Sequence, residues 1–479
     1  MKPNVFILMI IISALYSCNK TDEANIIGRI NGKIPDQISY SVPENGVSFS
    51  GFSDTIKPDS SGGFQIKLNL EDPSFLILTV AGLETKTIVI EPGEQYNISV
   101  NTEANNKSFK ISGANEEGQN LYNTLPNPFL VQLEAKKYFK ETSTDTIKKK
   151  IAALKENDIT RFKNLLDDKK ISKQFFKLVM IDRDCYYATL AANIQFIKYV
   201  ISSSGTPPGD HYEYPSEMKI NWGDIYTEYP PDQPELMGTR WWFEYATTFL
   251  NYKEYLSESY KTQNISGLQK SGLYHTHNID EAKNNFSGPA LEYYIAAYIY
   301  FRSLDLAYEK EFISIFDKFK ADFPKSRYIK YLEPWINTVI EFHKIADTDF
   351  NENIWFVENY DKIVSLKDAL KLFKGKKIYI DIWATWCEPC KYEFKKEDGL
   401  IRTLRSQGTE ILFISIDNEA RETLWKDMIK YYDLQGYHIR ASKQLNDDLR
   451  NIFSQNHKGS FYIPFHILID ESGEIIKTE

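Results

Sequence analysis

The amino-acid sequence predicts a multidomain chain: an N-terminal all-β sandwich, a central α-helical domain and a C-terminal α/β domain. Three successive patterns predict this order: apolar residues that alternate with period two, apolar residues at helical spacing, and strands that alternate with helices. With 479 residues, the chain is also too long for one ordinary hydrophobic core. The predicted domains are residues 25–112, 113–348 and 349–479.

The composition and net charge argue against three classes of protein. Hydrophobic residues make up 42% of the chain and charged residues 26%, which is typical of a folded chain rather than a disordered or membrane-embedded one. The formal net charge of -9 argues against nucleic acid as a partner, because phosphate binding needs concentrated Lys and Arg. No residue spacing predicts a bound metal or another cofactor.

The first residues predict a signal peptide, residues 1–17. Its apolar stretch, Val5 to Leu15, is too short to span a bilayer comfortably. The stretch runs into Leu15-Tyr16-Ser17-Cys18, which resembles the bacterial lipobox. The resemblance implies cleavage before Cys18, a lipid anchor on its sulfur and a tether over residues 18–24. An ordinary signal peptide that happens to contain a cysteine is the alternative.

The β domain is predicted from short segments of alternating apolar residues that are separated by turn residues. A small barrel fits this pattern as well as a sandwich does. Nothing in the region has catalytic spacing. The predicted strands begin near Ile27, Gly63, Phe75, Thr85 and Tyr96.

The middle region has apolar residues at helical spacing, with charged residues on the opposite faces. A segment rich in Pro, Gly and Tyr, Ser202–Pro234, interrupts the pattern and predicts a long loop. Helices resume from Trp241. The other predicted helices are Phe129–Glu141, Asp145–Leu166, Ser172–Ile201, Pro289–Phe323 and Tyr328–Ile345.

Two kinds of side chain in this region have competing interpretations. His275 and His277 are candidate metal ligands, but no third ligand stands at a recognisable spacing, so a solvated loop is favoured. Cys185 lies within a helical pattern. A buried, inert thiol is favoured there, because free Cys is among the most buried residue types.

The C-terminal region predicts an α/β domain. A strand over Lys377–Ala384 leads into a helix over Lys391–Leu404, and a second strand covers Glu410–Asp417. These strands are nearly all apolar, as expected for central strands covered on both faces. A helix over Glu419–Tyr432, a strand over Tyr437–Ala441, a helix over Lys443–Ser454 and a hairpin over Phe461–Asp470 and Glu474–Thr478 complete the predicted domain.

The pair Cys387 and Cys390 carries the predicted chemistry. A C-x-x-C pair also serves haem and zinc sites, but no His follows the second Cys and no second Cys pair exists. Because a strand runs directly into the motif, Cys387 is expected at a helix N-terminus, where free N–H groups lower a thiol pKa. Cys390, one turn later, can close a disulfide. Pro389 fits the first helical turn, where a missing N–H is tolerated.

The segment WATWCEPC, preceded by Asp381 and followed downstream by Ile463-Pro464, resembles the thioredoxin-like superfamily. More narrowly it resembles the TlpA/ResA-like membrane-anchored thiol-disulfide reductases of bacterial envelopes. The resemblance covers roughly the last quarter of the chain. The upstream β and helical regions resemble more loosely those of Bacteroidetes lipoproteins. Such a domain normally continues past its last hairpin into a helix, which this sequence does not contain.

The resemblance implies a role for each residue that matches the motif. Cys387 is the nucleophile, Cys390 the resolving thiol, and Asp381 a buried acid that moves the proton of the second thiol. Burial would raise the Asp381 pKa towards a useful value; an exposed strand-end carboxylate is the alternative. Pro464 is the cis-proline beside the disulfide, with the backbone of Ile463 pairing with substrate. An ordinary trans proline is the alternative.

Residues around the cysteines are expected to shape binding and redox potential. Trp383 and Trp386 are predicted to form the rim around the thiols, with plain packing as the alternative. Glu388 opposes a thiolate on Cys387 and so predicts a reductant rather than an oxidant, although Lys391 partly offsets it. The Glu-Pro pair, which includes Pro389, resembles reductases that act on apocytochrome c.

Three functions follow as hypotheses. The first is an enzyme, lipid-anchored in the cell envelope at the periplasm or cell surface, that reduces disulfides in exported proteins with electrons from another membrane protein. The second is a tethered binding or scaffold lipoprotein in which the domain is secondary. The third is a thiol peroxidase, which is disfavoured because Ala384 stands where that family has Thr or Ser.

Overall fold

The structure is a computed structural model, and it describes residues 23–41, 54–203, 215–256, 265–396, 398–454 and 461–478. The predicted signal peptide, Cys18 and its lipid anchor lie outside these residues. Within the described part of the chain, no helix has the length and apolar character needed to cross a membrane.

The N-terminal region is a sandwich of two four-stranded sheets, ordered β4-β1-β7-β8 and β3-β2-β5-β6. Alternate residues of the strands point inward because side chains along a strand alternate between its two faces, and Ile26, Ile66, Leu76 and Ile98 contribute to the core. The strands are β1 (Glu23–Asn31), β2 (Ile38–Ser41), β3 (Asp54–Ile56), β4 (Gly63–Asn69), β5 (Ser74–Thr79), β6 (Lys86–Ile90), β7 (Gln95–Asn101) and β8 (Ser108–Gly113). Strand β1 starts inside the predicted tether over residues 18–24.

The first helices of the predicted helical domain pack on this sandwich. They are α1 (Glu116–Tyr122), α3 (Thr144–Asp167) and the first part of α4 (Lys173–Ser203). Their apolar side chains meet Phe75 and Val89 of β5 and β6 in a separate core. Strand β6 lies at a sheet edge, and Gln119 hydrogen-bonds both the N–H and the C=O of Val89 there. The Gln119 side chain thus makes the backbone hydrogen bonds that a neighbouring strand would otherwise make with this edge.

The compact units of the chain therefore differ from the predicted domain boundaries. One unit runs to Phe129 and includes Asp145–Tyr187; the other contains Leu130–Thr144 and everything from Ala188 onward. The predicted helical domain, residues 113–348, is divided between them. The sequence pattern identifies helices but carries no information about which neighbour their apolar faces cover. Cys185 is fully buried in the first unit, as expected.

The helices of the second unit correct two predictions. The predicted loop Ser202–Pro234 contains a helix, α5, and the predicted helix Pro289–Phe323 is two helices, α10 and α11. The break falls at Leu306, whose φ of 49° is incompatible with a continuing right-handed helix. The helices are α2 (Val131–Ala135), α5 (Ser216–Glu228), α6 (Pro234–Met237), α7 (Trp242–Tyr255), α8 (Ile265–Ser271), α9 (Tyr274–Asn285), α10 (Gly288–Leu304), α11 (Glu311–Asp322) and α12 (Ile329–Ala346).

The prediction of a solvated loop at His275 and His277 is wrong. Both residues lie in α9, where the His275 ring is buried against Phe312 and its Nδ1 is 2.8 Å from the Tyr298 hydroxyl. His277 is 3.2 Å from a carboxylate oxygen of Glu254. These contacts are structural. Among the described residues, no group of three or more His, Cys, Asp or Glu side chains is arranged to hold a metal ion.

The C-terminal region is an α/β domain with a six-stranded sheet ordered β14-β13-β10-β11-β12-β9. Its strands are β9 (Ile354–Phe356), β10 (Ile378–Trp383), β11 (Glu410–Ser415), β12 (Gly436–Arg440), β13 (Phe465–Ile469) and β14 (Ile475–Thr478). Its helices are α13 (Leu366–Lys371), α14 (Glu388–Phe394), α15 (Asp398–Ser406), α16 (Glu422–Tyr431) and α17 (Lys443–Ser454). The predicted helix Lys391–Leu404 is interrupted between α14 and α15.

The core of this domain is not closed by its own residues alone. Leu306, Tyr308 and Phe342, from the preceding helical segment, belong to the same apolar cluster as the sheet residues. Phe342 on α12 stacks on Tyr308 with 4.4 Å between ring centroids, and the hydroxyls of Tyr308 and Tyr432 are 2.9 Å apart. The helical segment after Ala188 and the α/β domain therefore share one core.

Candidate active site

The two cysteines lie where the central strand β10 passes into helix α14. Strand β10 is buried along its whole length, between parallel β11 and antiparallel β13. Cys387 is the N-cap residue of α14, with the extended backbone that a cap adopts. Pro389 occupies the first turn, as expected. Cys387 therefore lies at a helix N-terminus, just beyond the carboxyl end of the central strand.

Cys387 and Cys390 form a disulfide with 5.4 Å between their Cα atoms. The backbone N–H of Cys390 donates a hydrogen bond to the sulfur of Cys387, with an N–S distance of 3.2 Å. Only 4% of Cys387 is exposed and Cys390 is fully buried. The outer sulfur can therefore meet another molecule, whereas the inner one can react only within the protein.

An exposed aromatic residue precedes each motif in the sequence, Trp386 before Cys387 and Tyr462 before Ile463-Pro464. Trp386 is 52% exposed and Tyr462 71% exposed, and the Ile463-Pro464 peptide bond is cis. The prediction that Trp383 belongs to the rim is wrong, because Trp383 is fully buried and its ring packs edge-on against Phe394. Trp383 lies on β10, whose two faces are both covered. Trp386 follows the end of that strand.

Three titratable side chains, from β10, β13 and α14, lie together. Asp381 on β10 is buried, as expected, and stands opposite His466 on β13 in the antiparallel register. The imidazole Nε2 of His466 is 3.9 Å from an Asp381 carboxylate oxygen and 3.4 Å from one of Glu393 on α14. The His466 ring stacks on Tyr379. We call Asp381, His466 and Glu393 the carboxylate–histidine cluster.

Lys391 is buried rather than directed to solvent. Its ammonium group donates hydrogen bonds to the backbone carbonyls of Asp305 and Leu306, at 2.7 and 3.0 Å. Burial lowers the Lys391 pKa to about 8, against the opposing effect of the nearby Glu309 carboxylate. The break between α10 and α11 supplies these two carbonyls. The Lys391 ammonium is thus held by another part of the fold. That Lys391 partly offsets the effect of Glu388 on a Cys387 thiolate stays a prediction.

The loop before the cysteines is held by Asp417, which follows β11. The backbone N–H and the hydroxyl of Thr385 both donate to the Asp417 carboxylate, at 2.8 and 2.7 Å. Arg421 donates to the Thr385 hydroxyl at 2.7 Å and to Glu309 at 3.0 Å. Burial raises the Asp417 pKa, and the hydrogen bonds from Ser415 and Thr385 oppose that rise. We call Thr385, Asp417, Arg421 and Glu309 the loop network.

Glu309 connects this network to the helical segment. Burial alone would raise its pKa, but the neighbouring His275 imidazole, 3.8 Å away, and the Arg421 guanidinium lower that pKa to about 2. Glu309 is therefore ionised at neutral pH, and its charge is partnered. The loop that leads to Cys387 is thus tied, through Arg421, to a residue of the preceding helical segment.

Sequence reasoning missed His466, Glu393, Tyr462 and the loop network. Asp417 could have been found, because it ends the predicted strand Glu410–Asp417 and parallel strands end at the same sheet edge. Glu393 stands three residues after Cys390 and so shares its helix face. His466 had no such signal, since its position opposite Asp381 depends on the strand register.

Comparison with known proteins places the C-terminal region in a family context. Residues 356–479 match the family model described as Redoxin. Proteins named thiol-disulfide oxidoreductase ResA from Bacillus thuringiensis and Bacillus cereus are each 30% identical to this chain over 112 residues. The match covers 23% of this chain and 47% of each relative, so the chain spans about half the length of these relatives.

Two solved structures are similar to part of this chain. A thiol:disulfide interchange protein of the thioredoxin family from Chlorobium tepidum is 23% identical, with 23% of this chain and 72% of that chain covered and a TM-score of 0.20. A putative thiol-disulfide oxidoreductase from Bacteroides vulgatus is 31% identical, with coverage of 22% and 64% and a TM-score of 0.18. The family model and the ResA relatives confirm the predicted resemblance of the C-terminal region to TlpA/ResA-like proteins.

Proposed function

We propose that this chain is a thiol-disulfide oxidoreductase that reduces disulfides in exported proteins through Cys387 and Cys390. The observation that carries the proposal is the position of Cys387 as the N-cap of α14, with its sulfur 3.2 Å from the N–H of Cys390. In the reduced protein, the same N–H and the helix dipole favour a thiolate at this sulfur. The ResA relatives support this reading.

The reaction has two steps. The Cys387 thiolate attacks one sulfur of a substrate disulfide, and the other substrate sulfur leaves and takes up a proton. The Cys390 thiol then loses its proton and attacks Cys387, which closes the protein disulfide and releases the substrate. The order of attack follows from burial, because Cys390 is fully buried whereas 4% of Cys387 is exposed.

A polypeptide substrate fits the surface beside the disulfide. Trp386 and Tyr462 are exposed aromatic side chains, and large aromatic surfaces contribute strongly to protein recognition. The backbone of Ile463, beside the cis-proline, is the candidate partner for an extended substrate segment. Disulfide-containing exported proteins, including apocytochrome c-type substrates, are the proposed class.

The cellular setting belongs to the same proposal. A lipid anchor on Cys18 would hold the enzyme at the envelope with its domains facing the periplasm or the cell surface. Electrons would come from another membrane protein that reduces the Cys387–Cys390 disulfide. The acidic Glu388 in the first turn of α14 works against a thiolate on Cys387, so a reducing potential is expected.

The decisive experiment is reduction of insulin disulfides with dithiothreitol as electron source. We expect the reduced full-length protein to accelerate reduction and Cys387→Ser to abolish the acceleration. Cys390→Ala should instead accumulate mixed disulfides on Cys387, which mass spectrometry detects. If the wild-type protein and Cys387→Ser give the same rate, the chain acts as a binding protein and the proposal is wrong.

A further inference from the structure

The carboxylate–histidine cluster has a composition that the two-cysteine reaction alone does not require. Cys390 must lose a proton in the second step, yet it is fully buried and has no direct contact with solvent. The resemblance described above gives that proton to Asp381, but only 1% of the Asp381 side chain is exposed. A group that accepts a proton in every cycle must also release it. The question is by which route the proton leaves.

We propose that His466 is a positioning residue that transfers this proton from Asp381 to Glu393, from which it reaches water. The same imidazole nitrogen faces both carboxylates, at 3.9 Å from Asp381 and 3.4 Å from Glu393. Exposure rises along this order, from 1% for the Asp381 side chain to 12% for His466 and 38% for Glu393. Of the three side chains, Glu393 is therefore the most accessible to water.

The fold holds this arrangement from three directions. The antiparallel register places His466 directly opposite Asp381, so both side chains lie on one face of the sheet. The His466 ring stacks on Tyr379, with 5.6 Å between centroids and 21° between planes. Glu393 stands three residues after Cys390 on α14, which brings it to the same helix face as the resolving thiol.

Histidine suits this position chemically. Its unperturbed pKa of about 6.5 lets it accept and release a proton near neutral pH. Both distances exceed the roughly 3 Å of a direct N–H···O hydrogen bond, so a small ring rotation or one bridging water completes each contact. Catalytic contacts are often loose in a resting structure. The cysteines here form the disulfide, which is the state before the proton is needed again.

Charged and titratable groups face His466 from several elements. Asp381 and Tyr379 face it from β10, and Glu393 faces it from α14. On the edge strand β14, Lys477 pairs with Leu468 and so lies on the same sheet face. Lys391 on α14 does not compete for the cluster, because its ammonium is bound to the Asp305 and Leu306 carbonyls.

The balance of the step is complete within the proposed function, on which this inference rests. The Cys390 thiolate forms a bond to Cys387, the bond from Cys387 to the substrate sulfur breaks, and the substrate leaves as a thiolate. Two electrons pass from the protein dithiol to the substrate disulfide. The proton of Cys390 passes through Asp381, His466 and Glu393 to water.

The test separates the two thiol steps with 5,5′-dithiobis(2-nitrobenzoate), which releases one coloured thiolate for each step. Reduced full-length protein carrying Cys18→Ser is mixed with the reagent between pH 5.5 and 9. For His466→Gln, we expect the first release to keep its wild-type rate. The second release should slow by about tenfold or more at pH 7, as for loss of a proton-transfer group, and recover towards pH 9, where hydroxide removes the proton.

A matched variant, His466→Phe, keeps an aromatic ring against Tyr379 but has no titrating nitrogen. The proposal expects it to behave like His466→Gln. If both variants slow both releases equally at every pH, or leave the second release unchanged, the transfer role is wrong. If His466→Gln does not fold, the test rests on His466→Phe and on how the rate of the second release in the wild-type protein depends on pH. A wild-type rate that rises with pH without a plateau below pH 8 contradicts the proposal.

The two proposals fail differently. If the wild-type protein reacts with the reagent no faster than an unfolded control and does not reduce insulin, the proposed function is wrong. If the wild-type protein reacts faster than the unfolded control and reduces insulin, but the His466 variants share its pH profile, only the proton route is wrong.

Discussion

At the residue scale, burial decides what each side chain beside the disulfide can do. Cys387 and Cys390 are three residues apart, yet 4% of Cys387 is exposed and Cys390 is fully buried. Trp383 and Trp386 have the same side chain and differ in the same way. The sequence motif identifies these residues but not their exposure, which depends on where β10 ends.

Lys391 gives a prediction that depends on pH. Its pKa is lowered to about 8 in the folded chain, from 10.5. Between these pH values the unfolded chain holds a proton that the folded chain has released, so the contribution of Lys391 to stability rises as the pH increases from 8 to 10.5.

We therefore expect the difference in free energy of unfolding, wild type minus Lys391→Met, to increase by up to about 3 kcal/mol between pH 7 and 10. Urea unfolding at several pH values measures it. Subtracting the variant removes the contributions of all other groups. A difference that stays constant or falls over this range would mean that Lys391 is charged and solvated in the folded state.

The cluster around His466 shows what one sequence leaves open at this scale. Asp381 and Pro464 were identified through the motif that they match. Glu393 was within reach of helical spacing. His466 was not, because a shift of one residue between β10 and β13 would place it on the opposite face of the sheet.

At the element scale, the loop network fixes the segment that joins β10 to α14. Asp417 accepts two hydrogen bonds from Thr385, and its side chain is fully buried. Removing its carboxylate leaves the buried Thr385 N–H without that acceptor.

We expect Asp417→Ala to lower the free energy of unfolding by about 3 kcal/mol and to slow insulin reduction, because buried donors are left unsatisfied and the cysteine loop is released. Asp447→Ala, at an exposed position on α17, is the control and should change stability by less than about 0.5 kcal/mol. Equal stability of the two variants would show that the network does not hold the loop. Chemical denaturation and the insulin assay provide both readouts.

The elements themselves were predicted unevenly for physical reasons. Strands β10 and β11 were predicted because continuous apolar runs mark buried strands. The break between α10 and α11 was not, because Leu306 adopts a left-handed conformation that its residue type does not signal. Helix α5 was missed because the many Pro and Tyr residues around it resemble a loop.

At the scale of the whole molecule, the helical segment and the α/β domain after Ala188 share a core. The sequence predicts a domain boundary near residue 349, where helices give way to βα alternation. The aromatic residues Tyr308 and Phe342 cross it. Periodicity reports which face of a helix is apolar but not what covers it.

Phe342→Ala tests this shared core. Phe342 is fully buried, and removing its ring should cost about 3–5 kcal/mol. We expect hydrogen exchange to accelerate in β10 and β11 as well as in α12, as measured by mass spectrometry. Phe129→Ala, at a position that is 75% exposed, is the control and should leave exchange unchanged. Faster exchange confined to α12 would mean that the α/β domain is stable by itself.

The proposed chemistry depends on the reactivity of the Cys387 sulfur, which alkylation measures. The reduced protein is treated with iodoacetamide at pH 6, where an ordinary thiol is less than about 1% thiolate. Peptide mass spectrometry then follows the modification of Cys387 in the folded protein and in urea. We expect faster modification of Cys387 in the folded protein. Modification that is equal or slower than in the unfolded chain would contradict the proposed chemistry.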